Sequence, residues 1–514
     1  MTATIPGLLL ETAARRTEAT WIRTDDGTQT FAGTVGQVAR LASRLRSEGI
    51  GKGDLAMVTA RTTPPYLLCW LALASIGAIT VPTDPSATEQ ERAGLIDQVQ
   101  PKALISDSDV PLAAAYLDIA SLVDDWREPL DDALSSDVTE DDLAVFIPTS
   151  GTTGRSKLVM QTHRAYAWAG VGFPYWMELT EQDRMMTSLP LFHINAPAYS
   201  CLGSLAAGAG LVLLPRFSAS GFLDAARRHG ATEFNAIGAM LEILWRQPER
   251  PDDADNPLRL CYTGPSPAKE WQEAFERRFG LRVVCGYAMS ESPYGLIWRH
   301  GTRPFGTLGW PRQHPTLGTV NEARVISEDG AEVETDGTGE LLLRNPTVTR
   351  GYWGMPDETA ATIVDGWLHT GDLVTVNDDG TYTFVARKKE VLRRRGLNLS
   401  PAEVEEAIAA HPDVLEVAVV GVSSELTEEE VKAFVVPRDN VDLDFAELRE
   451  FAAERLSAFK VPRFWEVIDA LPRTPTARVA KHRLPAGHTG NEYDASDEHG
   501  RSASSRAEDG KGER

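Results

Sequence analysis

The feature that most constrains this chain is an alternation, from about Leu55 to Val284, of short apolar runs with longer amphipathic stretches. LAMVTA (55–60), KALIS (102–106), MMTSL (185–189), GLVLL (210–214), TEFNAI (232–237) and LRVVCG (281–286) read as strands, and 196–208, 219–229 and 267–279 have helical spacing and length. That alternation predicts parallel sheets covered by helices. Between 306 and 387 the texture changes to short strands with EDG, TDG and DDG turns at 328–330, 335–337 and 378–380, which predicts a small β subdomain. After Arg387 the pattern resets. Ser400-Pro401-Ala402-Glu403 reads as an N-cap, a first-turn proline and a capping-box acid. A strand over 414–422 follows, and Asp444 with Glu447 opens a helix whose Phe445, Leu448, Ala452, Leu456 and Phe459 share one face. The expected fold class is α/β: a large N-terminal region of helix-covered sheets with a small β subdomain over 1–388, then a smaller α+β domain over 391–485. Residues 486–514 contain almost nothing apolar and are expected to be a disordered tail.

Composition narrows the class. With 514 residues, 42% of them hydrophobic, the chain can bury a large core. Its longest apolar run, Tyr66 to Val81, is broken by Gly77 and falls short of the ~18–20 residues that cross a bilayer. It reads as a buried helix running into a strand. The start, MTATIPGLLLETAARR, has no basic region followed by an apolar stretch and a cleavage site, so no export signal is expected. Four widely spaced cysteines (Cys69, Cys201, Cys261, Cys285) argue for reduced thiols in a cytoplasm and against a zinc site or disulfide framework. A net charge of -23 argues against a nucleic-acid groove. It leaves room for a small polyanion such as ATP, because a local nest of amides or a bound metal overrides the global sign.

The chemistry-bearing residues begin at Thr149-Ser150-Gly151-Thr152-Thr153-Gly154-Arg155-Ser156-Lys157, directly after the apolar run LAVFI. A Gly- and hydroxyl-rich loop leaving a strand offers backbone N–H groups, O–H donors and one cation, the parts that hold a triphosphate. The spacing is not that of a Walker loop. Further segments follow in order: Tyr287-Ala288-Met289-Ser290-Glu291, Gly366-Trp367-Leu368-His369-Thr370-Gly371-Asp372, Arg387-Lys388-Lys389-Glu390, and Pro472-Arg473-Thr474-Pro475-Thr476-Ala477-Arg478-Val479. Together, over about residues 30–485, they resemble the superfamily of AMP-forming adenylating enzymes: acyl-CoA synthetases, nonribosomal peptide adenylation domains and luciferase. LFHINAPAYSCLGSLAAGAGLVLLPRFSA (191–219) resembles the crotonobetaine/carnitine–CoA ligase-like branch in particular.

The resemblance implies a role for each residue. Thr149, Ser150, Gly151, Thr152, Thr153, Gly154 and Lys157 would form the phosphate loop. Tyr287 would lie against adenine, with Gly264 in the wall beside it. Ser290 would donate to the α-phosphate, Glu291 would hold Mg²⁺, Asp372 the ribose hydroxyls, and Arg387 the ribose or phosphates. His193 would line the carboxylate pocket, and Gly238, Ala239 and Met240 the acyl pocket. Glu390 would stand at the hinge on which a mobile C-terminal domain turns. Arg393, Arg394 and Arg395 read either as a solvated basic turn or as a landing site for CoA phosphates.

Two positions depart from the pattern. Leu158 stands where the family has Gly, and Ala477-Arg478 replaces its Gly-Lys, whose lysine bridges carboxylate and phosphate. Arg478 keeps the charge, but a planar guanidinium is no compact point charge. Lys481 would take over only by a register shift that disturbs Pro472 and Leu484. The expected activity is an ATP- and Mg²⁺-dependent, AMP-forming ligase that adenylates a small organic carboxylate and passes the acyl group to CoA. The alternative is a diazotase of secondary metabolism that activates nitrite and transfers it to an amine. A further alternative is a non-catalytic nucleotide-binding homologue.

Overall fold

The structure is a computed structural model. It describes residues 3–107, 115–130, 132–149, 156–264, 266–388, 390–394, 397–423, 429–438, 441–458, 460–473, 479–485 and 487–495. The chain packs as two units. The first comprises Met1–Gly337, Leu341–Thr370 and Val376–Thr383; the second comprises Thr338–Glu340, Gly371–Thr375 and Phe384–Arg514. The change of unit therefore falls at Phe384, upstream of the Arg387–Glu390 segment, and the Gly366–Asp372 motif is divided between the two.

A five-stranded sheet of Glu322–Ile326, Thr338–Arg344, Ile363–Val364, Trp367–Val376 and Tyr382–Arg387 forms in the 306–387 stretch where a small β subdomain is expected, and two larger sheets build most of the first unit. In one, strands Ala115–Asp118, Ala103–Ser106, Leu55–Thr59, Ile79–Thr83, Leu143–Thr149 and Lys157–Thr162 lie side by side in that order. All neighbours are parallel except the last pair, where Lys157–Thr162 turns back antiparallel on Leu143–Thr149. In the other, Arg282–Met289, Leu260–Thr263, Glu233–Asn235, Arg184–Thr187, Gly210–Leu213 and Thr20–Thr24 run parallel, with antiparallel strands at both edges. Every residue of Ile79–Thr83 and Gly210–Leu213 is buried, as strands covered on both faces require. Helix Pro64–Ser75 buries each residue from Tyr66 to Ser75, turns at Gly77 (φ 73°) and feeds strand Ile79–Thr83, the helix-into-strand arrangement expected of that apolar run. At roughly 1.5–3 kcal/mol per large apolar side chain, this helix anchors the core by burial alone. Among the described residues no helix is long and apolar enough to cross a membrane.

The expected helix over 196–208 forms differently. Ala196–Cys201 is a π-helix and only Leu202–Ala207 is α-helical. Pro197 contributes no N–H to the first turn. Leu158 is fully buried in the cluster with Phe146, Val81 and Leu104, so this departure from the family pattern serves as a core residue.

The second unit packs helices Pro401–Ala409 and Phe445–Ala453 on a sheet ordered Val414–Ser423, Glu429–Pro437, Phe464–Val467, Tyr493–Asp494. Asp444 caps its helix, accepting from Ala446 N at 2.8 Å and Glu447 N at 3.3 Å. Ser400 does not cap with its side chain. Its hydroxyl donates to Val385 O at 2.8 Å, a competing acceptor that the local spacing does not reveal. Phe459, expected on the helix face, lies outside the described residues.

The tail expectation needs correcting over 487–495. Tyr493–Asp494 pairs antiparallel with Phe464–Trp465, and the Tyr493 ring stacks on Phe445 at 5.7 Å. Lys432, fully buried on the neighbouring strand, pairs with Glu466 at 2.7 Å and Glu492 at 3.4 Å. This segment has few apolar residues, but it supplies a counter-charge (Glu492) and a backbone carbonyl acceptor (Gly487 O) to a buried cation, a use that composition does not register.

Candidate active site

In an open α/β sheet, ligands bind beyond the carboxyl ends of the strands. Four neighbouring parallel strands in the larger sheet, Arg184–Thr187, Glu233–Asn235, Leu260–Thr263 and Arg282–Met289, deliver the sequence candidates at that edge. His193 follows the first, Gly238–Met240 the second and Gly264 the third, and Tyr287, Ser290 and Glu291 sit at or just after the end of the fourth. Gly264 is required by close approach, since a Cβ there would lie 2.3 Å from Gly286 O.

Ser290 and Glu291 form a tight connection between strands Arg282–Met289 and Ser292–Ile297, whose ends pair as Met289 with Ser292. The connection is tied down at three points. Gln161 Nε2 donates to Ser290 O at 2.6 Å, Thr349 N donates to Glu291 O at 2.8 Å, and the Tyr352 hydroxyl donates to Glu291 Oε1 at 2.9 Å. Segment 349–353 reaches this position by extending the smaller sheet. Arg350 N donates to Met160 O at 3.0 Å, Met160 N to Gly351 O at 2.9 Å, and Trp353 N to Leu158 O at 2.9 Å. Tyr352 thereby stands opposite Val159, two residues beyond Lys157, whose Nζ lies 4.6 Å from the centroid of the Tyr352 ring. Gly351 (φ 108°) makes the turn possible, because Thr359 Cγ2 sits 2.2 Å from where a Cβ would stand. Burial first, and the Glu291 charge next, push the Tyr352 phenol well above its ordinary value, so it remains a protonated donor.

At the first and second strand ends, Leu191 N donates to the Thr62 hydroxyl at 3.1 Å and the Phe192 and His193 rings meet at 4.7 Å. Asn235, 1% exposed, donates from Nδ2 to Asn195 Oδ1 at 2.8 Å and to Ser200 Oγ at 3.2 Å, which ties the strand end to the π-helix. Met240 is buried at the start of helix Gly238–Trp245.

In the second unit, Asp372 is 5% exposed and faces Arg387, with Nε 3.4 Å from Oδ1. Buried Glu340 supports this pair from behind, accepting from Gly371 N at 3.0 Å and from Lys388 Nζ at 3.1 Å. Glu390 is exposed and its N–H donates to Arg387 O at 2.8 Å. Arg394 is neither a solvated turn residue nor a free cation. It is buried, paired with Glu430 at 2.6 Å and donating to Val461 O at 2.8 Å. Lys481 pairs with Glu405 at 2.7 Å.

Ser150, Gly151, Thr152, Thr153, Gly154, Arg395 and Arg478 lie outside the described residues. Gln161, Asn195, Asn235, Glu340, Thr349 and Tyr352 were not singled out by sequence reasoning. Tyr352 lies 61 residues from Glu291 and Gln161 lies 129 from Ser290, so no local period connects them.

Residues 9–353 match the family described as AMP-binding enzyme, and residues 403–478 match the AMP-binding enzyme C-terminal domain. A crotonobetaine/carnitine–CoA ligase of Salmonella paratyphi C (strain RKS4594) is 31% identical over 484 residues, covering 87% of this chain and 91% of its own. Among solved structures, ATP-bound MatB from Rhodopseudomonas palustris has a TM-score of 0.85 at 26% identity, over 94% of this chain and 98% of that one. The o-succinylbenzoate CoA synthetase MenE from Bacillus subtilis, solved with its acyl-adenylate intermediate OSB-AMP, has a TM-score of 0.83 at 26% identity over the same shares.

Proposed function

The chain belongs to the AMP-binding enzyme family, and from that premise we propose that it adenylates a small organic carboxylate with ATP and passes the acyl group to CoA. It is an enzyme of the AMP-forming CoA ligase class. The observation that carries the proposal is the tethered Glu291 at the carboxyl edge of the parallel sheet. In the first step a carboxylate oxygen attacks the α-phosphorus and pyrophosphate leaves. In the second the CoA thiolate attacks the acyl carbon and AMP leaves.

Among the described residues no cluster of three or more His, Cys, Asp or Glu side chains is placed to hold a metal ion. One fixed carboxylate nonetheless suits Mg²⁺ carried on a nucleotide, which binds through one or two carboxylates plus substrate phosphates. When bound, Mg²⁺ offsets the charge gathering on the phosphates. Glu291 would hold it, Ser290 would donate to the α-phosphate, and Lys157 with Thr149 and the Ser150–Gly154 loop would hold the outer phosphates. Tyr287 would cover adenine beside Gly264, while Asp372 and Arg387 would bind the ribose. His193 and Gly238–Met240 would line the acid pocket, Arg478 would neutralise charge as the adenylate forms, and Glu390 would mark the hinge. The four cysteines are buried and unbridged, which agrees with our placing the enzyme in a reducing cytoplasm.

The test is AMP release by the purified protein with ATP and Mg²⁺, comparing a carboxylic acid panel plus CoA with nitrite plus aryl amines, products identified by mass. CoA-dependent AMP with a thioester mass supports the proposal. AMP appearing only with nitrite and amine would replace it with the diazotase reading that Arg478 raised, and ATP left intact with every candidate would point to the non-catalytic one.

A further inference from the structure

One side chain outside the expected site residues touches two of them. The Tyr352 hydroxyl donates to Glu291 Oε1 at 2.9 Å, while Lys157 Nζ sits 4.6 Å over the centroid of the same ring. The tyrosine is 7% exposed and its backbone is fixed. It is bridged to Val159 and its N–H donates to the Thr359 hydroxyl at 2.9 Å. One rigid phenol thus sets the spacing between a carboxylate and a cation that come from different sheets.

We propose that Tyr352 is a positioning residue that orients Glu291 for the metal of a metal-nucleotide complex and holds Lys157 toward its phosphates; this rests on the ligase reading above. The two contacts have separable chemistry. The O–H occupies one lone pair of Oε1 and restrains carboxylate rotation, which sets the direction the carboxylate presents to a divalent cation. The ring face attracts the ammonium by its quadrupole and restricts a flexible four-carbon stem. Loss of the hydroxyl acts on metal affinity, and loss of the ring acts on nucleotide affinity.

The test uses the full-length protein and paramagnetic Mn²⁺, titrated by electron paramagnetic resonance in the presence of α,β-methylene-ATP. Tyr352→Phe keeps ring and volume and is expected to weaken Mn²⁺ binding roughly 10- to 150-fold, the range of one hydrogen bond to a charged group. In a Glu291→Gln background the same change should add less than about twofold, because the hydroxyl acts through that carboxylate. Tyr352→Gln, which keeps a donor amide but no ring, should retain more Mn²⁺ affinity than the phenylalanine and instead raise the KM for ATP. Equal losses in both backgrounds, or no loss in Tyr352→Phe, would overturn the proposal, since a merely structural role lowers stability alike in each. The two readings fail separately. Wild-type protein that binds Mn²⁺ with the nucleotide but yields no AMP with any acid refutes the ligase activity and leaves Tyr352 in place. Wild-type protein that binds no metal-nucleotide refutes both.

Discussion

Glu492→Gln is a small change with a consequence that composition would not anticipate. Lys432 is fully buried in the second unit between Glu466 and Glu492, and Gly487 O lies 3.3 Å from its Nζ. Stranding a buried ion entirely costs about 3–5 kcal/mol. Here Glu466 remains, and it is the nearer partner at 2.7 Å. The expected loss is therefore about 1.5–3 kcal/mol, the range of one hydrogen bond to a charged group. At about 4–8 °C per kcal/mol for a domain of ~100 residues, that corresponds to a fall of roughly 6–24 °C in its unfolding midpoint. Thermal unfolding of the full chain measures it, with hydrogen exchange read on peptides covering Glu429–Pro437 and Phe464–Val467. A shift under about 2 °C with unchanged exchange would refute the reasoning. Truncation after Ala486 should cost more than the point change, since it also removes the Arg463–Asp494 fork at 3.0 and 2.9 Å and the Tyr493 ring. The pH dependence has a definite sign. Burial raises the Glu492 carboxyl, but Thr489, His488 and backbone N–H donors outweigh it and hold the group well below the usual carboxylate range. A depressed folded pKa stabilises above the unfolded value of about 4.3 and loses that contribution as pH falls. The difference between wild type and Glu492→Gln should accordingly narrow below about pH 4.

Three further outcomes are expected. Glu291→Gln should lower Mg²⁺-ATP turnover by roughly 100-fold or more with an unchanged fold, read by pyrophosphate release; near-normal turnover would remove Glu291 from the site. Gln161→Leu deprives the half-buried Ser290 carbonyl of its 2.6 Å donor, which should cost about 1–2 kcal/mol of stability and raise the ATP KM. If calorimetry and kinetics both match wild type, the Gln161 tether has no energetic role. Gly264→Ala drives a Cβ to 2.3 Å from Gly286 O, backbone against backbone, so strand Leu260–Thr263 must shift. Nucleotide affinity should fall at least about tenfold, and unaltered ATP binding by calorimetry would contradict the close-approach argument.

Local signals carried the reading of the fold a long way. Continuous apolar runs marked the parallel strands, because a strand buried on both faces admits few other residues. Gly77 marked the break between buried helix and strand, and Asp444 marked a real cap. The same kind of signal failed where an acceptor or donor far along the chain competed. Ser400 has the spacing of a capping box, yet its hydroxyl serves Val385 O. Arg394 reads as a surface charge, yet Glu430 and Val461 bury it. Residues 487–495 read as solvated, yet they supply Glu492 to Lys432.

What this sequence determined by itself was the class of architecture, the order of its motifs and the chemistry those motifs carry. Each of these depends on residue type and on periods of two to four along a single segment. Only the tertiary structure decided that Tyr352 joins Lys157 to Glu291, that Gln161 and Thr349 tie down the Ser290–Glu291 turn, and that Glu340 backs Asp372 through Gly371 and Lys388. Those contacts follow from which sheet edges and strand ends pack side by side, and that is settled by the sum of burial over the whole core rather than by any one segment.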